Sequence, residues 1–429
     1  MTKKYIIQSL YCVFSISFFV YVIYKSEIVN AGLKHDFYFK YYLFSATLLI
    51  FSLISFYIKK DINLKIFTIL LATVLSLYFI EFYLSITKET GKDHLGEFTK
   101  EFKKEKPSKV PVVYPYHFIN ENKQKIFSFG GISNLETIFC HEDYLVKYKS
   151  DRFGFNNPNE IWDNKKKDIL LIGDSFTHGM CVFPENNIRS KIQKYSSDLN
   201  VLNLGIGGSG SLMQYAILKE YYNLVNPKKV LWIYYEENDI HDLIFEKKNH
   251  ILNNYLKDNN FKQNIITKQK EIDKKLIISF QKKLQNKNNF KINTLKYIKD
   301  FLKLKKFRYF LRNTIFINKM PLNVPSDFKN ILSKANEFLK VNNTKMYFVY
   351  LPEKRRFNNS FKIDEKKFNH YPQILKIVEE LEIPIINIYE DVFKKHSNPL
   401  DLFAKNGSHF NAKGYDLTAL KISNFIKDR

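Results

Sequence analysis

The chain has 429 residues, 45% of them hydrophobic and 16% aromatic, which excludes an intrinsically disordered polymer and leaves room for two or three domains. Fourteen Gly and twelve Pro leave little scope for long flexible linkers. The formal charge of +24 suits nucleic acid, an anionic membrane or an acidic polymer, yet neither a zinc-type Cys–His spacing nor a nucleic-acid motif accompanies it. Lys, Asn, Ile, Phe and Tyr are abundant together, so the charge reads as compositional bias as much as a binding requirement. No nucleic-acid partner, cofactor or metal is expected.

Residues 5–24 form an uncharged run of 20, about the length a helix needs to cross the hydrocarbon. Residues 41–58 and 66–86 repeat the pattern, the last with one acid, Glu81, near its end. The first run is too long for a signal-peptide core and lacks a small-x-small cleavage site before Lys25. Three transmembrane helices are expected over 1–87. Lys3, Lys4, Lys59, Lys60 and Lys65 outweigh Lys25, Lys34, Lys40 and Lys88 by a narrow margin, which places the N-terminus in the cytoplasm and everything after Lys88 outside it.

Residues 88–110 are polar and charged and read as a juxtamembrane linker, followed by a lead-in of short strand-like runs to about 160. Its stretch "KYKSDRFGFNNP" has turn composition and no chemistry of its own. Cys12 lies in an apolar run, so Cys140 and Cys181 are the only cysteines that could pair in an oxidising compartment. Two free thiols are the expected state.

From 161 to 429 the pattern alternates. Apolar runs at 168–173, 200–205, 229–236, 345–351 and 383–390 read as strands buried on both faces. Helical periodicity separates or follows them at 211–225, 327–341, 371–382 and 415–428. This predicts a three-layer α/β/α domain around a five-stranded parallel sheet, with reactive groups beyond the strands' carboxyl ends. The lysine-dense stretch at about 245–325 is too long for one crossover and reads as an insertion of amphipathic helices. These present solvated faces, a lid, or a patch for anionic lipid or glycan.

The first strand ends in "GDSFTHG" (173–179), which delivers Ser175 just past the sheet edge, where a following helix start would aim N–H groups at an anion. A serine hydroxyl needs a base within hydrogen-bond reach to act as a nucleophile. His409, on the loop before the closing helix, is the leading base; His178 is expected at the pocket rim and Asp174 as a helix cap.

Together with "NLGIGGSG" (203–210), "EEND" (236–239) and "NGSHFNAKGY" (406–415), this segment resembles the four blocks of the SGNH or GDSL-type hydrolases, in order and in strand-end placement. The resemblance covers roughly 165–429 without the insertion. It implies the flavodoxin-like sheet of that fold and a Ser175–His409 pair. It also implies an oxyanion hole built from the backbone N–H of Ser175, the backbone N–H of Gly208 and the side-chain amide of Asn238. The chain departs from the family where an Asp three residues before the histidine is replaced by Asn406. Asp401 on the same loop could orient the imidazole, a backbone carbonyl could serve a Ser-His dyad, or the site could be slow or inactive. The expected activity is that of a membrane-anchored serine esterase or acyltransferase working through an acyl-enzyme, with the bilayer and acylated envelope glycans or lipids as partners. The alternative is a non-catalytic glycan-binding or assembly protein that retains the fold. The sequence leaves the oligomeric state open.

Overall fold

The computed structural model describes residues 5–29, 35–87, 112–113, 126–164, 167–288, 290–311, 324–357, 368 and 370–427. The linker expected at 88–110 lies outside them. Two compact units emerge, one from Met1–Thr90 with Lys296–Phe310, the other from Gly91–Leu295 with Leu311–Arg429.

The first unit contains α1 (Ile6–Ile23), α2 (His35–Ile54) and α3 (Lys60–Thr87), and three segments long and apolar enough to span a bilayer: Ile6–Val29, Tyr38–Tyr57 and Lys60–Thr87. Most of their large apolar side chains face outward, Phe14, Leu43 and Phe79 among them, the reverse of a water-soluble bundle. Apart from Val22 and Leu84, what they bury is polar. Ser15 donates to Ser52 at 3.2 Å, and the Asn63 amide donates to the Ser55 carbonyl at 2.8 Å. The chain is therefore membrane-associated.

The second unit begins with a small sheet in which β1 (Val112–Val113) runs parallel to β2 (Glu136–His141), and β2 pairs antiparallel with β3 (Leu145–Lys149). The main sheet follows, with β4 (Ile169–Gly173), β5 (Val201–Asn203), β6 (Lys229–Tyr235), β7 (Lys345–Leu351) and β8 (Ile385–Asn387) in the spatial order β5-β4-β6-β7-β8, all parallel. This is the flavodoxin-like order that the sequence predicts.

Both faces of the sheet are packed, which is why its strands read as unbroken apolar runs. With a side-chain period of two, Leu170, Ile172, Val230, Trp232 and Phe348 enter one core. Ile169, Leu171, Leu231, Ile233 and Val349 enter the other. Each such fully buried aliphatic side chain stabilises the fold by roughly 1.5–3 kcal/mol relative to exposure.

The helices of this unit before the long insertion are α4 (Ser175–His178), α5 (Ile188–Tyr195), α6 (Ser211–Val225) and α7 (Asp239–Glu246). Helix α5, which the apolar periodicity did not single out, forms the β4–β5 crossover; its N-cap Asn187 accepts from the Ser190 N–H at 2.8 Å. Within the predicted insertion, α8 (His250–Lys257) and the start of α9 (Gln269–Asn288) bury Leu252, Tyr255 and Leu276 in the first core. Two further insertion helices are α10 (Phe290–Leu302) and α11 (Lys305–Leu311). Helices α12 (Ser326–Val341), α13 (His370–Glu380) and α14 (Ala412–Lys427) complete the layers.

One expectation fails here. Cys140 and Cys181 are joined in a disulfide, so the thiols are not free. Strand β2 carries Cys140 to the loop after α4, a juxtaposition that sequence separation alone does not reveal.

Candidate active site

Strand β4 lies where the crossovers diverge, one leading to β5 on one side and the next to β6 on the other. Such a switch point leaves a crevice beyond the carboxyl end. Gly173 ends β4 because nothing larger fits: a Cβ there would lie 2.5 Å from the Ile233 carbonyl oxygen. Asp174 then caps α4, its carboxylate accepting from the Phe176 N–H at 2.9 Å. Helix α4 is a single turn, too short to sum a macrodipole of the expected kind, so individual N–H groups must carry any anion stabilisation. Ser175 is buried except for 8% of its surface.

The Ser175 hydroxyl lies 2.9 Å from Nε2 of His409. On the far side of the ring, Nδ1 lies 2.7 Å from Oε1 of Glu142. Phe176 packs against the imidazole with ring centroids 4.9 Å apart, which limits the ring's rotation. Neither group expected to orient His409 does so. Asp401 accepts from the Asn398 amide at 2.8 Å, and the Asn406 amide donates to Asp143 at 3.2 Å. The carboxylate comes instead from the turn after β2, in the lead-in to which no chemistry was assigned.

That turn grips the whole histidine loop. The Glu142 carboxylate accepts from the backbone N–H groups of Ser408 at 3.3 Å and His409 at 3.2 Å, and Asp143 accepts from those of Lys405 and Asn406, both at 3.0 Å. Burial alone would raise the Glu142 pKa, but its hydrogen bond to His409 and the imidazole's charge bring it below the ordinary carboxylate range. Glu142 is thus held ionised, as a group that stabilises an imidazolium must be. Gly407 makes this approach feasible, since a Cβ there would fall 1.8 Å from the Glu142 carboxyl carbon. The disulfide sits beside the same contact, with Sγ of Cys181 3.4 Å from Nδ1 of His409.

The other predicted residues take these places. Gly208 has φ +74°, a backbone conformation costly for any residue with a Cβ, in the loop after β5. A Cβ on its neighbour Gly207 would lie 3.7 Å from the Ser175 Cβ, which puts the loop alongside the hydroxyl. Asn238 occupies the N-cap position of α7, and its Nδ2 donates to Asp242 at 2.8 Å. Burial, reinforced by the charge of Asp174, pushes the Asp242 pKa up to about 7. His178 is fully buried and accepts at Nδ1 from the Gly207 N–H at 3.3 Å; burial pushes its pKa down to about 3. It supports the loop as a neutral ring and does not line the rim.

The turn "SDRFGFNNP" also shapes the site. Asn157 exchanges two hydrogen bonds with the Asn203 backbone, at 3.0 and 2.8 Å, and the Asn156 amide donates to the His178 carbonyl at 3.0 Å. Asn203 in turn donates to the Thr177 carbonyl at 2.6 Å and accepts from the Gly205 N–H at 2.7 Å. Two asparagines of the lead-in thereby lock the Ser175 turn to the Gly208 loop. Sequence reading missed both this and Glu142; the signals were the acid pair at 142–143, just past Cys140 and His141, and the tandem asparagines at 156–157.

No protein-family profile matches the chain, and no curated protein does. Among solved structures it is similar to a putative G-D-S-L lipolytic protein of Desulfitobacterium hafniense, with 14% identity and TM-score 0.31 over 60% of this chain and 99% of that one. It is likewise similar to a lipase/acylhydrolase of Enterococcus faecalis, with 13% identity and TM-score 0.35 over 61% and 96%. A third is a psychrotrophic esterase of Pseudoalteromonas, with 15% identity and TM-score 0.32 over 61% and 98%.

Proposed function

We propose that this chain is a membrane-tethered serine esterase or O-acyltransferase of SGNH type, with Ser175 as nucleophile, His409 as general base and Glu142 as the acid that orients it. The observation that carries this reading is the continuous chain Ser175 Oγ, His409 Nε2, His409 Nδ1, Glu142 Oε1, with contacts of 2.9 and 2.7 Å. In this reading the Ser175 oxygen attacks the ester carbonyl while its proton passes to Nε2. Negative charge develops on the carbonyl oxygen beside the N–H groups of Ser175 and Gly208. Collapse expels the alcohol, which takes the proton from His409, and leaves an acyl group on Ser175. Water then yields the free acid; a sugar hydroxyl yields a transferred ester.

Asn238 completes the oxyanion hole once its amide turns. While Asp242 is ionised it holds the amide N–H. Protonated, it can donate to the amide oxygen instead and leave Nδ2 for the substrate. A pKa near 7 makes both states accessible at neutral pH.

A non-catalytic reading drew its main support from Asn406, and Glu142 supplies the carboxylate whose absence that reading required. A disulfide next to the site fits an oxidising compartment, in accord with a catalytic domain outside the cytoplasmic membrane. The tether and the basic composition favour O-acylated envelope glycans or lipids as substrates. Labelling with a fluorophosphonate tests the proposal: the intact chain should form a covalent adduct that Ser175→Ala abolishes. A folded wild-type protein that forms no serine-dependent adduct would remove it.

A further inference from the structure

Glu81 is an acid inside the third apolar run, about six residues or ~9 Å along the helix from its end at Thr87. A carboxylate at that depth is costly unless bonded. Glu81 is 1% exposed, and its two oxygens accept from the backbone N–H groups of Lys306 at 2.9 Å and Phe307 at 2.7 Å. A turn deeper, the Tyr78 hydroxyl donates to the Leu302 carbonyl at 3.1 Å, and the Tyr78 and Phe301 rings lie 5.5 Å apart. Leu304, with φ +49°, reverses the chain between α10 and α11 so that both reach α3. The end of the lysine-rich insertion therefore belongs to the membrane unit and lies at the depth of its third helix.

At that depth its outward face is not that of a solvated helix. Tyr297, Ile298, Leu302 and Tyr309 are exposed at 76, 52, 60 and 62%. Interleaved with them, Lys296–Phe310 carries six Lys or Arg against one Asp. Long basic side chains on an apolar helix can bury their stems and extend their charges to the headgroups. Tyrosine favours the same zone.

We propose that Lys296–Phe310 is an interfacial membrane segment, clasped to the third span through Glu81, whose exposed apolar side chains enter the bilayer and whose basic groups bind an anionic phospholipid surface. The proposal does not depend on the esterase chemistry.

The test uses the full chain in a Cys12→Ser background, with the disulfide intact so that one introduced thiol takes a fluorophore. Ile298→Cys reports the segment, and Lys376→Cys, exposed on α13, reports the aqueous body. In mixed phosphatidylglycerol–phosphatidylcholine vesicles, the Ile298 probe should be quenched by a spin-labelled lipid and shielded from iodide, with the Lys376 probe showing the opposite. Energy transfer to it from labelled phosphatidylglycerol should exceed that from labelled phosphatidylcholine by about threefold or more. That excess should disappear in Lys299→Gln/Lys303→Gln/Arg308→Gln. Iodide quenching equal to that of the Lys376 probe would overturn the insertion. Equal transfer from both lipids would overturn the anionic preference. Shielding that vanishes on dilution of the protein in lipid would assign the face to a second copy of the chain.

Discussion

The Glu142 carboxylate lies 2.7 Å from Nδ1 of His409 although 267 positions separate them in sequence. An ionised carboxylate in this place only accepts, so it fixes the imidazole tautomer and stabilises the imidazolium; a neutral amide can donate to Nδ1 instead, so it holds the ring without fixing the productive tautomer or stabilising its charge. In serine proteases the matching Asp→Asn change lowers turnover by about 10⁴-fold. Glu142→Gln should lower kcat for an aryl acetate by a loss on that order, with KM little changed. Asp401→Ala and Asn406→Asp should both retain near wild-type rates. A large loss in Asp401→Ala with none in Glu142→Gln would reverse the assignment.

Gly407 is required for room rather than for backbone freedom. Its missing Cβ is what lets Glu142 approach, since the added carbon would collide with the carboxyl at 1.8 Å. Gly407→Ala should therefore reproduce much of the kcat loss of Glu142→Gln. The loop is partly exposed, so the melting temperature should fall only slightly. Activity equal to wild type would show that the loop can shift without releasing the acid.

The disulfide ties together the segments that carry Glu142 and Ser175, because Cys140 stands two residues before Glu142 and Cys181 six after Ser175. It closes a loop with a sequence separation of 41, for which about 2–4 kcal/mol of stabilisation is typical. Cys140→Ser/Cys181→Ser should melt at a lower temperature. Below that transition it should also lose activity, through a Glu142 turn no longer tied to the nucleophile loop. An unchanged rate would confine the bond to stability.

The buried acids behind Ser175 set a pH dependence of stability. Glu246 accepts from the N–H groups of Gly210 at 2.6 Å and of Leu212 and Met213 at 3.2 Å, yet burial pushes its pKa up to about 8. Its unfolded value is about 4.3. The folded state thus holds a proton that the unfolded state releases across this interval. The associated stability is fully present below about pH 4.3 and is lost as pH rises through 8, at up to ~1.4 kcal/mol per pH unit. Asp242, raised to about 7, acts in the same direction. Melting temperature should fall between pH 5 and pH 8, and Glu246→Gln should flatten the slope. An identical slope in the variant would place the titration elsewhere.

Much of this was legible in the sequence, and the reason is periodicity. Two-sided burial turns parallel strands into unbroken apolar runs, so all five could be placed within a few residues; β5 and β8 came out shortest, at three residues each, because each pairs on one side only. The three membrane spans were visible because hydrocarbon thickness demands about 20 apolar residues in a row. Ser175 stood at a strand end and His409 on the loop before the closing helix, on the side where a parallel sheet gathers its reactive groups. Local pattern thus determined the architecture and singled out Ser175 and His409, which the fold brings within 2.9 Å of each other.

Tertiary structure alone decided the partner of His409, the pairing of the cysteines and the place of the insertion's end. Glu142 and Cys140 belong to a small separate sheet whose docking on the main one leaves no periodic trace. A hydrogen bond between side chains constrains only the two positions that meet. Glu81 likewise reads as a lone defect in an apolar helix until the chain returns, more than 200 residues later, with two backbone N–H groups to receive it.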